Sequence, residues 1–419
     1  MAFDLVLANA RIPGRDGGLA DIGVRGGRIA AVAPGLAGDQ PRHDLGGRLV
    51  LPGLVETHIH LDKSGLTDRC DCSGGALAEA VAAVAKAKRS FTEADVRERA
   101  SLTLEKAILQ GTMRMRTHVE VDPRIGLVSL AALAGLKRDY AWAIDLQICA
   151  FPQEGLLDDP GCEAVLVAAL EAGADLVGGA PYMDRDSHGH IATIFDIARR
   201  FDVDIDFHLD FSLDASRLDV EEVCRLTERH GWGGRVAVGH VTKLSMLPAE
   251  RLAPIGRRLA AAGVAVTVLP ATDLFLMGRD QDHSAPRGVA PAHRLRVHGV
   301  TCSIATNNVL NPFTPFGDCS LIRMANLYAN IAQVGSPDGL AACLDMVSVE
   351  AAKLMGLEDY GLTPGSPADV LVLDCETPAQ AVAELAPAVM GFKRGRLSFT
   401  RPAARLLPPP PKERQDAAK

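Results

Sequence analysis

No run of apolar residues in the 419-residue chain approaches the roughly 20 needed to cross a bilayer as a helix, so no membrane-spanning segment is expected. Nor is there a Lys/Arg run or a basic patch interleaved with aromatics, and the formal net charge is -8 with a pI near 5.9. That leaves no electrostatic footprint for nucleic acid. The opening Met1-Ala-Phe-Asp-Leu-Val6 is neither a basic n-region nor a transit peptide, and a cytoplasmic location is expected. The nine cysteines are scattered and odd in number. With no second pair at zinc-site spacing to join Cys70-Asp-Cys72, neither a disulfide framework nor a thiolate metal site is expected; Cys149 and Cys302 sit in apolar runs, where a reduced thiol acts as a small hydrophobe.

What the chain does contain is a strand and helix rhythm. Residues 3–12 and 21–34 are short apolar alternations broken by glycines, which read as hairpins. Leu51-Pro-Gly-Leu-Val-Glu-Thr-His-Ile-His60 reads as one apolar strand ending in two histidines. Residues 75–88 and 92–110 then turn helical, with Thr92-Glu-Ala-Asp95 as a helix start. Further strands are expected at 113–121, 143–151, 175–180, 203–209, 235–241, 264–269 and 300–306. Helical segments are read at 160–173, 189–201, 216–230, 247–262 and 288–298.

Counting the opening strand, eight strands at this spacing predict a (β/α)8 barrel of TIM type, with its site at the C-terminal strand ends. Two helices at 317–334 and 336–356 follow, then short strands within 361–374 and 389–399. The latter are expected to pair with the N-terminal hairpins. The predicted organisation is a composite β-sandwich from residues 1–51 and 359–405, a barrel over 52–358, and a disordered tail over 406–419.

Histidines mark the strand ends: His58 and His60 on the first, His118 on the second, His208 on the fifth and His240 on the sixth. Alternate residues of a strand share a face. His58 and His60 can therefore aim at one point, as metal ligands must, and a catalytic site wants about three such ligands and an open position. His188-Gly-His190 has the same spacing but no strand to hold it, and is not expected to bind metal.

Taken together, Pro52-Gly-Leu-Val-Glu-Thr-His-Ile-His-Leu-Asp62, Arg116-Thr-His-Val-Glu-Val121, Asp145-Leu-Gln-Ile-Cys-Ala-Phe-Pro-Gln-Glu-Gly155, His208-Leu-Asp210, Gly239-His240 and Pro364-Gly-Ser-Pro-Ala-Asp369 carry a resemblance across nearly the whole chain. The chain resembles the amidohydrolase superfamily, in its cytosine deaminase-like branch. The resemblance implies a distorted barrel beside a β-sandwich, one divalent metal ion (zinc or iron), and hydrolysis of a non-peptide carbon–nitrogen bond in a small pyrimidine- or triazine-like heterocycle. It implies His208 as third metal ligand beside His58 and His60, and His240 above the metal as the group that positions the attacking water. Gln153 matches the residue whose amide pairs with the ring edge of cytosine. No lysine follows strand 4, in Asp175-Leu-Val-Gly-Gly-Ala-Pro-Tyr-Met-Asp184, where two-metal relatives carry a bridging lysine, so a single metal is expected.

Two positions depart from the pattern. Where the branch has a proton-shuttling glutamate three residues after the strand 5 histidine, this chain has Phe211. At the end of strand 8, in Ala305-Thr-Asn-Asn-Val309, the metal-binding aspartate is replaced by Asn307. An amide has no useful basicity near neutral pH. The proton relay is therefore expected to be altered, with Asn307 retained as a site residue, Asp210 at the substrate, and Asp210, Asp214 or Glu120 assisting His240. The s-triazine N-dealkylating relatives resemble the chain at Asp204-Ile-Asp-Phe-His208 but keep the strand 8 aspartate. Two further readings stay open at this level: a catalytically silent, small-molecule-binding paralogue, and a true cytosine deaminase. Homo-oligomerisation is open as well.

Overall fold

A computed structural model describes residues 3–15, 18–70, 75–402 and 404–407. Cys72 and most of the tail expected to be disordered lie outside them. The eight described cysteines are all free, and no helix among the described residues is long and apolar enough to cross a membrane.

The chain opens with β1 (Leu5–Ala10), β2 (Ala20–Arg25), β3 (Arg28–Ala33) and β4 (Arg42–Asp44), a sheet in the order β3-β2-β1-β4. The expected single strand Leu51–His60 is two strands in two sheets. β5 (Leu49–Pro52) pairs antiparallel with a strand from the far end of the chain, while β6 (Leu54–Ile59) enters the barrel. The break has a local cause. Pro52 has no N–H to continue a ladder, and a Cβ on Gly53 would lie 2.4 Å from the Met113 side chain, so only glycine lets the chain pass between the sheets this tightly.

The barrel continues with β7 (Thr112–Glu120), β8 (Asp145–Phe151), β9 (Leu176–Gly179), β10 (Asp204–Leu209), β11 (Val236–His240), β12 (Val264–Val268) and β13 (Cys302–Ile304). All are parallel neighbours in chain order. A parallel bridge between Ile59 and Asn307 closes the ring: the Asn307 N–H donates to the His58 carbonyl at 2.8 Å and the His60 N–H to the Asn307 carbonyl at 2.9 Å. The expected (β/α)8 barrel is thus present. Its seam runs through the two opening histidines.

Thr92 caps the helix Glu93–Leu109 by accepting from the Asp95 N–H, as its sequence predicts. A helix not anticipated, Val128–Asp139, fills the unit between β7 and β8; it starts at Leu127 with no side-chain cap, so the usual start signal is missing. The segment 336–356 is two helices, Pro337–Asp345 and Val349–Leu354, because the turn between them lends the Val347 carbonyl to the Val55 N–H at the foot of β6.

β14 (Val370–Leu373), β15 (Ala388–Lys393) and β16 (Arg396–Thr400) form a second small sheet with β5, in the order β16-β15-β14-β5. Leu7, Ile22 and Ile29 of the first sheet and Val50, Val370 and Phe392 of the second share one buried cluster, so the two sheets pack face to face.

Within the barrel, β9 and β10 approach closely at Gly178. A Cβ there would come 2.4 Å from the Asp206 carbonyl oxygen, a backbone atom that cannot swing away. Gly178→Ala should destabilise the protein by about 1–3 kcal/mol by overpacking. Urea unfolding with an unchanged midpoint would contradict this.

Candidate active site and metal centre

The four histidines at strand ends His58, His60, His208 and His240 are brought together, each 2% exposed or less. His58 Nε2 and His60 Nε2 each lie 3.1 Å from His208 Nε2. Neutral imidazoles cannot satisfy three nitrogens aimed at one another, since each lone pair needs a donor. Ligands about 2.0–2.1 Å from a tetrahedral ion are separated by about 3.3 Å, so the observed spacing fits a first-row divalent ion. Burial foremost, and then neighbouring charge, holds all three rings well below the usual histidine range, in the neutral form that binds metal. Nδ1 of each ring has no hydrogen-bond partner; that of His58 faces Asp206 Oδ1 at 4.0 Å. The donor set therefore fits a mononuclear metal.

His118 is also at this point. Its ring stacks on His58 with centroids 3.8 Å apart, and His58, His118 and His208 each offer a nitrogen within 4.8 Å of the others. His60 Nε2 closes to 3.1 Å on His208, whereas His118 Nε2 turns toward Asp206 Oδ1 at 3.6 Å. Asp206 in turn accepts from Arg116 Nη1 at 2.7 Å, and Arg116 Nε and Nη2 both reach Gln147 Oε1 at 3.2 Å. This buried lattice under the histidines gives Arg116 its compensating charge.

His240 ends β11 in the left-handed region (φ +68), followed by Val241 at φ +41. That turn presents the ring to the cavity, where it packs on Phe211 with centroids 3.8 Å apart. His240 Nδ1 is 2.6 Å from Asp273 Oδ1. Asp273 is fully buried, and burial raises its pKa against the pull of His240. Its role was not legible in the sequence. The available signal was a lone carboxylate in the largely apolar run Pro270-Ala-Thr-Asp-Leu-Phe-Leu276, since buried acids are seldom unpaired.

The groups expected to assist His240 are elsewhere. Asp210, expected at the substrate, accepts from the Asp219 and Val220 N–H groups, each at 3.0 Å, and pairs with Lys243 at 3.2 Å. Both its oxygens accept from the start of the helix Val220–His230. Asp214 is exposed and accepts from the Ser216 N–H at 2.9 Å. Glu120 is buried between two lysines: Lys63 Nζ at 2.7 Å and Lys88 Nζ at 3.1 Å. Burial pushes its pKa up, but Lys63 and then Lys88 outweigh burial and hold it down at about 2.

Lys63 was a second omission. It is 1% exposed, donates to Gln153 Oε1 at 3.0 Å, and sits 4.5 Å from the Phe313 ring centroid. Gln153, expected to read a substrate edge, is thereby tied to Lys63 and also hydrogen-bonded to Tyr182. Asn307 is 1% exposed, and its side-chain Oδ1 and Nδ2 have no partner. A narrow cavity of about 10 Å³, room for about one water, is bounded by Lys63, Gln153, Phe211, His240, Asn307 and the faces of His60 and His208. His188 and His190 do not join the centre; His190 Nδ1 pairs with Asp184 Oδ2 at 2.6 Å.

The sequence profile of the amidohydrolase family matches residues 43–141 and 134–399. The chain belongs to the amidohydrolase family. As such it is a hydrolase of carbon–nitrogen bonds other than peptide bonds. Among curated proteins, this amidohydrolase is 28% identical to N-isopropylammelide isopropyl amidohydrolase of Pseudomonas sp. (strain ADP), over 94% of this chain and 97% of that one. It is 28% identical to pterin deaminase of Rhizobium rhizogenes, over 84% and 82%. Among solved structures, 5-methylcytosine deaminase from Klebsiella pneumoniae liganded with 5-fluorocytosine matches with a TM-score of 0.92 at 29% identity, covering 96% of this chain and 99% of that one. N-isopropylammelide isopropylaminohydrolase from Burkholderia multivorans matches with a TM-score of 0.83 at 29% identity, over 94% and 98%.

Proposed function

We propose that this amidohydrolase uses one divalent metal ion, zinc or iron, to hydrolyse an exocyclic carbon–nitrogen bond of a compact pyrimidine- or triazine-like heterocycle. The observation that carries the proposal is the meeting of three buried imidazole nitrogens beside a small cavity that His240 also lines. His58, His60 and His208 would hold the ion. When bound, such an ion polarises the scissile bond and lowers the pKa of water toward about 7.

The remaining work falls to the chain. His240, with its Nδ1 engaged by Asp273, has Nε2 left to take a proton from the attacking water and return it to the leaving amine. Phe211 can carry no proton; its ring packs on His240 and keeps solvent from that face. Asn307 can orient a group by hydrogen bonding but cannot act as a base. Asp273 is a positioning residue, which fixes the tautomer of His240. The relatives that act on ammelide, pterin and cytosine rings support a ring substrate here.

The test combines metal analysis with amine release from cytosine, isocytosine, creatinine and aminotriazines. One equivalent of metal and release from at least one of them is expected, and His208→Ala should lose the metal. A His208→Ala protein that keeps stoichiometric metal sinks the ligand assignment. Absence of both metal and amine release from the unaltered protein would favour a ligand-binding role.

A further inference from the structure

The two departures from the deaminase pattern change the charge of the cavity as well as its proton chemistry. Its wall, among the described residues, holds no carboxylate and one fixed cation, Lys63. Three acidic groups near it have their oxygens engaged. Glu120 is shared by Lys63 and Lys88, Asp273 is taken by His240 and the Leu269 N–H, and Asp210 by a helix start. The wall is also rich in donors. Lys63 has three protons, of which Glu120 and Gln153 take two. Asn307 keeps its whole amide unpaired. The Asn308 oxygen already accepts from Asn311 Nδ2 at 2.8 Å, which leaves Asn308 its NH2 to offer.

A buried cation with unspent donors around it is complementary to negative charge, and desolvation makes that preference strong. We propose that the natural substrate is an anionic heterocycle: one small ring carrying a negative charge at neutral pH, as an ionised imide or a ring carboxylate, set against Lys63 and Asn307. The inference rests on the reading of this cavity as the substrate site. It differs from that reading in claiming a charge preference, which a neutral amino-pyrimidine would not satisfy. Phe211 and Asn307 then make chemical sense together: a glutamate and an aspartate at those positions would repel such a ring.

Two ring-matched, unreactive probes separate charge from shape: barbiturate, a monoanion near neutral pH, and uracil, which is neutral there. Calorimetric titration of the purified protein should show barbiturate binding about ten- to hundredfold tighter, the range expected for one hydrogen bond to a charged group. Lys63→Met should bring barbiturate down to the level of uracil. Should Lys63→Met fail to fold, Phe211→Glu and Asn307→Asp test the same point from the other side, since each should weaken barbiturate far more than uracil. Equal binding of both probes, tighter uracil, or a barbiturate preference that persists in these variants overturns the inference. Stoichiometric metal and amine release from neutral rings without any preference for barbiturate would sink the charge claim and leave the hydrolase reading standing. A metal-free, inactive protein that still prefers barbiturate would do the reverse.

Discussion

His240→Ala is expected to lower kcat by about 10²–10⁴ while leaving the metal in place, the usual loss when a positioned acid–base group is removed. The loss should fall toward the upper end, because the neighbours that could take over are unsuited. Phe211 and Asn307 occupy the positions from which a carboxylate would act, Glu120 is locked between lysines, and Asp210 is bound to backbone N–H groups. His240 is moreover held by three independent constraints: its left-handed backbone, the 2.6 Å bond to Asp273 and the Phe211 ring at 3.8 Å. Asp273→Asn tests the second of these. It keeps the shape and removes the charge, so it should reduce kcat with little change in KM and alter the pH profile, as expected when a histidine loses the partner that sets its tautomer. Metal content distinguishes these variants from His208→Ala. If His240→Ala turns over at the rate of the unaltered enzyme, or loses its metal, the assigned role is wrong.

The sequence carried the barrel because a β/α repeat imposes two periodicities that alternate along the chain, and each parallel strand, buried on both faces, shows as an apolar run. The metal cluster was legible for a related reason: His58 and His60 are two apart on one strand, so their common direction follows from strand geometry alone. What could not be read was assembled by tertiary packing. Asp273 reaches His240 across 33 positions from a helix that starts at Pro270. Lys63 meets Glu120 across 57 positions and Gln153 across 90. Asp210 shows the converse: proximity to a ligand in sequence suggested the site, but a positive φ of 48° turns its carboxylate to the start of the next helix. The strand Leu51–His60 looked continuous because Pro52 and Gly53 sit in an unbroken apolar pattern, although the backbone changes sheets there.

Lys88→Met should be the most destabilising single substitution considered, by about 3–5 kcal/mol at neutral pH, the range seen when one partner of a buried ion pair is removed. Lys88 is 2% exposed and bonds Glu120 at 3.1 Å and Asp122 at 2.5 Å, with Glu154 in direct contact as well. Three carboxylates thus converge on one ammonium group. Removing it leaves Glu120 with Lys63 alone, and Asp122 and Glu154 with Arg124. The pH dependence identifies the cause. Glu120 has a folded-state pKa of about 2 against an ordinary 4.5, so its pairing stabilises the native protein above about pH 4.5, and that contribution is lost as pH falls toward 2. In Lys88→Met the pKa should move back up, because one of the two lysines that depress it is gone. The difference in stability between the two proteins should therefore be largest near neutral pH and shrink as pH drops through 4.5, where protonation removes the stranded charge. Urea midpoints at about pH 7 and about pH 4 measure it. A deficit that stays constant across that interval would assign the loss to packing of the lysine stem rather than to its charge.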